Sequence, residues 1–362
     1  MRAMEYVKLV DVWKTYRTKA GSVTPLRGVN FSVDKGELVV VLGPSGEGKT
    51  TLLRVIAGLL RQDRGHVYLR GELVDDVPPK DRNVAMVFQS YAIYPFMTVY
   101  DNIAFPLRLQ HRPKQEIDAK VRQVAKLLRI DDILYKKPGQ LSGGQRQRVA
   151  IAKALVKGAD IILMDEPMAN LDAQVRVFAR EELKQLHRDL GTTIIYVTHD
   201  QVEALSLATK LAILHDGVIQ DYGDPVEVYR RPRNSWVASF TGNPPMNLFE
   251  ARVQGGYVVA ARTESECLEA YSKLVSEGVE VVAGFRPEDA RVGQGQLSGR
   301  VTMVERVGAY TVIHVDVGGL SLRLLYPSMA PISRGDVVSF EVPSSALSLF
   351  DPKTGLNLLR RP

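Results

Sequence analysis

The run Gly43-Pro44-Ser45-Gly46-Glu47-Gly48-Lys49-Thr50, followed by Thr51, constrains this chain more than any other stretch. It satisfies G-x-x-x-x-G-K-[ST] at every fixed position. Its flanks agree. Residues 37–42 read as a short buried strand and residues 51–57 as a helix. Strand, glycine-rich loop and helix together turn successive backbone N–H groups toward a phosphate chain. Gly43, Gly46 and Gly48 let the backbone approach without a Cβ in the way. Lys49 is suited to neutralise β- and γ-phosphates, and Thr50 to ligate Mg²⁺ through its hydroxyl. The loop implies a nucleoside triphosphate and leaves open what hydrolysis drives.

Further apolar runs have the same form. Residues 83–88 lead into Gln89, residues 160–164 into Asp165-Glu166-Pro167, and residues 193–198 into His199-Asp200. In an open, mainly parallel sheet, ligands sit beyond the carboxyl ends of the strands. Lys49, Gln89, Asp165, Glu166 and His199 are therefore expected to converge on one edge. There Asp165 suits Mg²⁺, through a water, and Glu166 suits a general base that polarises the attacking water. Gln89 can bridge metal and water, and His199 can bond the γ-phosphate and orient the nucleophile. An isolated Asp-Glu pair after a strand is ordinarily a surface turn. The phosphate loop elsewhere in the chain reverses that reading.

Toward the N-terminus, residues 7–13 read as a strand that Lys14-Thr15-Tyr16 ends, and residues 28–33 as a half-exposed antiparallel strand. Tyr16 can stack on a nucleobase or simply pack. Signals between residues 99 and 155 are mostly helical, with Ile117, Val121, Val124, Ala125 and Leu128 at helical spacing. Leu141-Ser142-Gly143-Gly144-Gln145 opens a further helix, whose free N–H groups make a second anion site. After about residue 236, helical periodicity fades except over 264–277. Short strands follow at 248–253, 256–262, 279–285, 299–307, 310–317, 320–326, 336–342 and 346–350. Strands at this spacing suggest a small barrel or a pair of barrels.

A chain of 362 residues is too long for one ordinary core, so two domains are expected, divided near residues 231–234. No apolar run reaches the roughly 18 residues of a membrane span. Residues 1–6 lack the apolar core of a signal peptide. Cys267 is the only cysteine, which excludes an internal disulfide and favours a cytoplasmic setting. The net charge of +6 is scattered, and no nucleic acid partner is expected.

With these motifs in order, the sequence resembles the ATP-binding subunits of ABC transporters. The match takes in an aromatic A-loop at Tyr16, a Walker A loop over 43–51 and a Q-loop at Gln89. It continues through a signature at 141–145, a Walker B strand over 161–166, a D-loop at Asn170-Leu171-Asp172 and an H-loop at His199. Residues 78–82, 85–89 and 94–103 resemble the carbohydrate-importer, maltose-transporter-type ATPases. So do 242–247 and 284–289, in that group's C-terminal barrel.

The resemblance implies an α/β fold. Residues 1–235 would form the ABC ATPase domain, with a mainly parallel core sheet, an antiparallel β subdomain and a helical subdomain over about 90–157. Residues 236–362 would form an all-β, OB-like (TOBE-type) barrel. ATP and Mg²⁺ would be bound by Tyr16, Gly43, Pro44, Ser45, Gly46, Gly48, Lys49, Thr50, Thr51, Gln89, Asp165, Asp172 and His199, with Thr50, Gln89 and Asp165 at the metal. Ser142, Gly143, Gly144 and Gln145 would complete the ATP site of a second copy, or of a homologous ATPase, in a head-to-tail dimer. Catalysis would fall to Glu166, His199, Gln89 and Lys49.

The partners implied are transmembrane permease subunits, docked near Gln89 through residues 91–96, and indirectly an extracytoplasmic solute-binding protein. The place implied is the cytoplasmic face of the cell membrane. A sugar or oligosaccharide is the expected solute; polyamine, sulfate or ferric iron is the alternative. A non-transport ABC ATPase would carry a long coiled-coil insertion or a second motif set, and neither is present. The chain departs from the family pattern at Glu47, Lys153 and Ala169. Glu47 is expected to face solvent, since a carboxylate aimed at phosphates would repel them.

Overall fold

The computed structural model describes residues 5–19, 21–254, 257–260, 267–269, 278–326 and 331–360. The chain divides into two compact units, Met1–Pro225 and Val226–Pro362.

The first unit opens with a long antiparallel pair, β1 (Glu5–Thr18) and β2 (Gly21–Asp34). Strand β3 (Leu38–Leu42) and helix α1 (Lys49–Ile56) flank the phosphate loop. Strands β4 (Arg64–Leu69) and β5 (Glu72–Leu73) complete a four-stranded antiparallel sheet of order β2-β1-β4-β5. After β6 (Val84–Val87) come helices α2 (Val99–Leu109), α3 (Lys114–Leu127) and α4 (Gly143–Leu155). The unit closes with β7 (Ile161–Asp165), α5 (Ala173–Leu190), β8 (Thr193–Thr198), α6 (Gln201–Leu207), β9 (Lys210–His215) and β10 (Val218–Gly223).

A six-stranded sheet has the order β10-β9-β3-β8-β7-β6, parallel except for β10. Every residue of β3, β7 and β8 is buried. That is why these strands read as unbroken apolar runs: a parallel sheet covered on both faces has no solvent side to alternate with. Leu52, Leu53, Val55 and Ile56 of α1 pack in one core with Val39, Val41, Leu163, Ile195 and Val197, and with Val7, Leu9 and Val29 of the antiparallel sheet.

The C-terminal end of α1 is held by Arg82. Its buried guanidinium donates to the carbonyls of Val55 and Ile56, both at 3.0 Å, and of Val77 at 2.9 Å. Those helix-end carbonyls lack intrahelical partners, so the arginine acts as their cap.

In the second unit, helices α7 (Pro225–Arg230) and α8 (Ser235–Phe240) precede two antiparallel sheets. The first contains β11 (Asn247–Gln254), β12 (Tyr257–Ala260), β13 (Cys267–Glu269) and β14 (Glu280–Phe285). The second contains β15 (Arg291–Arg306), β16 (Thr311–Val317), β17 (Leu320–Tyr326) and β18 (Val337–Glu341). Strand β19 (Ser348–Phe350) returns to pair with β14. One apolar core, including Phe249, Phe285, Ile313, Leu324 and Phe340, joins both sheets. The buried Arg286 lies over the Tyr229 ring, 4.0 Å from its centroid, and donates to the carbonyls of Tyr229 and Thr241. Those carbonyls replace part of the water the cation loses, and burial still pulls its pKa below the ordinary value.

Two expectations need correction. Residues 14–16 do not end the first strand: β1 continues through them because Tyr16 pairs with Val23 across the hairpin. Polar residues on an exposed ribbon look like a turn in sequence, yet the ladder satisfies their backbone. A helix over 264–277 is contradicted where the structure describes it, since Cys267–Glu269 is a strand paired with β12. The remainder of that segment lies outside the described residues.

Candidate active site

The sheet order sets the site. Strands β3, β8, β7 and β6 are neighbours and parallel, so the residues at their carboxyl ends emerge along one edge. These are the phosphate loop, His199, Asp165-Glu166 and Gln89. A cleft of about 280 Å³ opens here, lined by Tyr16, Val23, Pro25, Ser45, Gly46, Gly48, Lys49, Thr50, Thr51 and Glu166.

Gly48 caps α1 in the left-handed conformation, with φ 94°, and no side chain bonds the first-turn N–H groups. A helix start left open in this way attracts an anion. Gly43 and Gly48 are required by space. A Cβ at Gly43 would lie 2.3 Å from the Leu214 carbonyl oxygen, and one at Gly48 2.3 Å from that of Pro25. Gly46 faces open space and is required by its φ of 90°.

Lys49 is buried, and its amine donates to the loop's own carbonyls, Gly43 at 2.9 Å and Pro44 at 2.7 Å. Glu166 Oε1 lies 3.9 Å away. Burial pulls the amine's pKa below its ordinary value, and the charges of Glu166, Asp165 and Glu47 oppose that shift. Thr50 Oγ1 donates to Asp165 Oδ1 at 2.9 Å. Burial pushes the Asp165 carboxyl upward, against the Thr50 hydrogen bond. The Thr50 hydroxyl and Asp165 carboxylate are all-oxygen donors, the kind a hard divalent cation selects.

Glu166 stands in the left-handed region at φ 45°, unusual for a side chain with a Cβ. Its backbone N–H donates to Val197 O at 3.0 Å, and its carbonyl accepts from Ala169 N–H at 3.2 Å. Those bonds hold a strained residue at the strand end, where strain tends to accompany function. Its Oε2 is 3.0 Å from His199 Nδ1. With Nδ1–H donated to the carboxylate, Nε2 of the neutral ring is an acceptor, and it donates to a phosphate oxygen only from the protonated ring. Tyr16 lines the cleft, with its hydroxyl 3.4 Å from Thr51 Oγ1.

Other expected residues stand apart from the cleft. Gln89 is exposed, and its carbonyl accepts from Asn170 Nδ2 at 3.0 Å. Asp172 caps α5 by accepting from Val175 N–H at 3.0 Å. Ser142 and Gln145 cap α4 reciprocally: Ser142 Oγ accepts from Gln145 N–H at 3.2 Å, and Gln145 Oε1 accepts from Ser142 N–H at 3.0 Å. None of the signature residues lines the cleft. Gly143 and Gly144 also have a packing reason, because Cβ atoms there would lie 2.9 Å from Leu171 Cδ2 and 3.3 Å from Val175 Cγ1.

Two sets of residues were missed by sequence reasoning. Arg176 joins the D-loop to the H-loop, donating to Leu171 O at 3.1 Å and to Asp200 Oδ2 at 3.2 Å. The buried Glu203 beside it accepts from Tyr196 Oη at 2.7 Å and Thr198 Oγ1 at 2.8 Å. Nothing in spacing marks such a link between elements. The expectation for Glu47 is corrected in part. Its carboxylate points away from the phosphates and is partly exposed, but it is engaged by the β9–β10 turn, 3.1 Å from His215 Nδ1 and 2.6 Å from Asp216 N. The unusual acid in the loop was a signal, but its partner lies 168 residues away.

Residues 26–169 match the family model for ABC transporters, 242–290 the MalK OB fold domain and 283–350 the TOBE domain. The trehalose/maltose import ATP-binding protein MalK of Thermococcus litoralis is 46% identical, over 97% of this chain and 99% of its own length. The chain belongs to the ATP-binding subunits of ABC transporters. The alpha-glucoside transport ATP-binding protein AglK of Rhizobium meliloti is 43% identical over 95% of this chain and 96% of its own. A dimeric ATP-binding cassette, solved in a post-hydrolysis state with ADP and Pi, covers 60% of this chain and 98% of its own, with TM-score 0.55 and 33% identity. Like other ABC ATP-binding subunits, the chain is an ATPase. Among the described residues, no helix is long and apolar enough to cross a membrane.

Proposed function

We propose that this ATPase drives uptake of a sugar or oligosaccharide through partner permease subunits, at the cytoplasmic face of the cell membrane. An extracytoplasmic solute-binding protein would deliver the solute. The carrying observation is a cleft that gathers Lys49, Thr50 and Glu166 while the signature residues stand outside it. Half a site implies a second copy, or a homologous ATPase, placed head to tail so that Ser142, Gly143, Gly144 and Gln145 cover the γ-phosphate. The Ser142 hydroxyl proton is not used by its capping bond and is free to donate.

In the closed dimer Tyr16 stacks on the base, the loop N–H groups hold the phosphates, and Lys49 exchanges its carbonyl partners for phosphate oxygens. Thr50 and Asp165, with Gln89 drawn in, would hold Mg²⁺, which when bound supplies positive charge at the β- and γ-oxygens. Glu166 takes the proton of the attacking water, and His199 steadies that carboxylate. Asp172 sits beside the second copy's site.

The functional division is drawn at residues 235/236, with the helical lobe over about 90–157. Of the segment after Gln89, Tyr91 is core, whereas Phe96 is 89% exposed and Tyr94 39%. The exposed pair suits an apolar partner helix from the permease. Lys153 supports it, with its amine 3.9 Å from the Tyr94 ring centroid and 2.9 Å from Ala92 O.

The sugar assignment leans on relatives named for trehalose, maltose, alpha-glucosides and oligosaccharides. A relative from Rhodopseudomonas palustris, named for sn-glycerol-3-phosphate, makes that solute the second reading. The deciding experiment is to co-purify the subunit with its native membrane partners and ask which solute stimulates ATP hydrolysis. Stimulation by maltose-type oligosaccharides is expected. Stimulation by putrescine, with indifference to every sugar, would reject the reading.

A further inference from the structure

Glu47 is the loop side chain to which ATP chemistry assigns no role, and it is tied to a separate element of the fold. Its Oε2 accepts from the Asp216 N–H at 2.6 Å, and its Oε1 lies 3.1 Å from His215 Nδ1. Both partners belong to a tight turn in which His215 pairs with Val218, with Asp216 at φ 50° and Gly217 at φ 74°. Strand β2 grips the same turn from its other side. The Arg27 N–H donates to Gly217 O at 2.8 Å, and the Arg27 guanidinium pairs with Asp216 Oδ1 at 2.8 Å. The loop base also leans on this hairpin, since Gly43 packs against Leu214 O. The apex is otherwise open: a Cβ at Gly46 would meet nothing within 4 Å.

We propose that Glu47 is a positioning residue for nucleotide binding, tying the crown of the phosphate loop to the β9–β10 turn so that its N–H groups already point inward before ATP arrives. Turned onto the hairpin, the carboxylate offers its oxygens to an N–H and an imidazole and not to the phosphates. A short hydrogen bond to an oxygen at this reach is worth enough to hold a loop that glycines leave flexible. Ordering the loop in advance removes a cost that binding would otherwise bear.

The inference rests on the phosphate loop being the ATP site, and the test separates the two. Full-length wild type, Glu47→Gln, Glu47→Asp and Glu47→Ala are titrated with Mg·ADP by calorimetry, and KM and kcat for ATP are measured. Glu47→Gln keeps an acceptor at the same reach without the charge, and is expected within about threefold of wild type. Glu47→Asp keeps the charge but falls one methylene short. Both it and Glu47→Ala are expected to weaken ADP about tenfold, a fold-change in the range of one such bond. KM should rise by more than kcat falls. Amide exchange at Asp216 should be slow in wild type and Glu47→Gln and fast in Glu47→Asp. Equal or tighter binding by Glu47→Asp overturns the proposal, as does a Glu47→Gln as weak as Glu47→Asp. A wild type that fails to bind ADP overturns the ATP-site reading instead.

Discussion

Replacing Glu166 by glutamine separates chemistry from binding in this site. The amide keeps an oxygen to accept from His199 Nδ1, now 3.0 Å from the carboxylate, so ring and strand end stay in place. What is lost is the basic oxygen that takes a proton from water. Loss of a general base lowers kcat by a factor of about 10² to 10⁴, or about 2.7 to 5.5 kcal/mol in the barrier. The ground state responds in the other direction. Lys49 Nζ is 3.9 Å from Glu166 Oε1, a gross attraction of about 4 kcal/mol at an effective dielectric of about 20. Removing that charge leaves the ammonium to the phosphates and takes one anion away from them. ATP binding is therefore expected to match wild type or exceed it, while turnover collapses. Single-turnover hydrolysis of γ-labelled ATP, equilibrium binding of ATP, and ATP-dependent dimerisation by size exclusion measure the three quantities. A variant that hydrolyses ATP within twofold of wild type would refute the assignment. A variant that loses binding and turnover in proportion would show that Glu166 shapes the loop and does not serve the chemistry.

Four other substitutions have definite outcomes. Gly48→Ala, with its Cβ forced to 2.3 Å from Pro25 O at φ 94°, should abolish ADP binding in a calorimetric titration; Gly46→Ala, which meets no neighbour, should pay only the roughly 1–2 kcal/mol of left-handed strain. Asp165→Asn should abolish hydrolysis yet raise the Tm of the metal-free protein by a few degrees at pH 7–8, because burial raises the carboxyl's pKa and the fold penalises its ionised form. By the same sign, the stability this group contributes is whole below its unfolded pKa of about 3.9 and lost as pH rises through the folded value, so the Asn variant's advantage should shrink in Tm scans toward pH 4. Lys153→Met removes the ammonium over the Tyr94 ring and the bond to Ala92 O, and should make residues 91–96 markedly more susceptible to limited proteolysis while far-UV circular dichroism is unchanged.

Much of the first unit could be read locally. A phosphate loop is legible because its chemistry is contiguous: one strand, one turn and one helix start supply nearly every group that meets the phosphates. The parallel strands were legible for a related reason, since burial on both faces writes itself as an unbroken apolar run. Their shared edge then brought Gln89, Asp165, Glu166 and His199 to one side. Legibility failed where polar residues were stabilised by a distant partner. The ribbon through Tyr16 looked like a turn until its pairing with Val23 was known.

The sequence alone therefore determined the parallel α/β core, the phosphate loop and the identity of the groups along the sheet edge, because each is encoded within a few consecutive residues. The tertiary structure alone decided which groups touch. It set the Glu166–His199 contact, the Arg176 link from D-loop to H-loop, and the turn of Glu47 away from the phosphates and onto His215 and Asp216. The Glu166–His199 contact depends on β7 lying beside β8, and the Glu47 contact on β9 lying beside β3, placements settled by packing of the whole sheet and written in no local pattern.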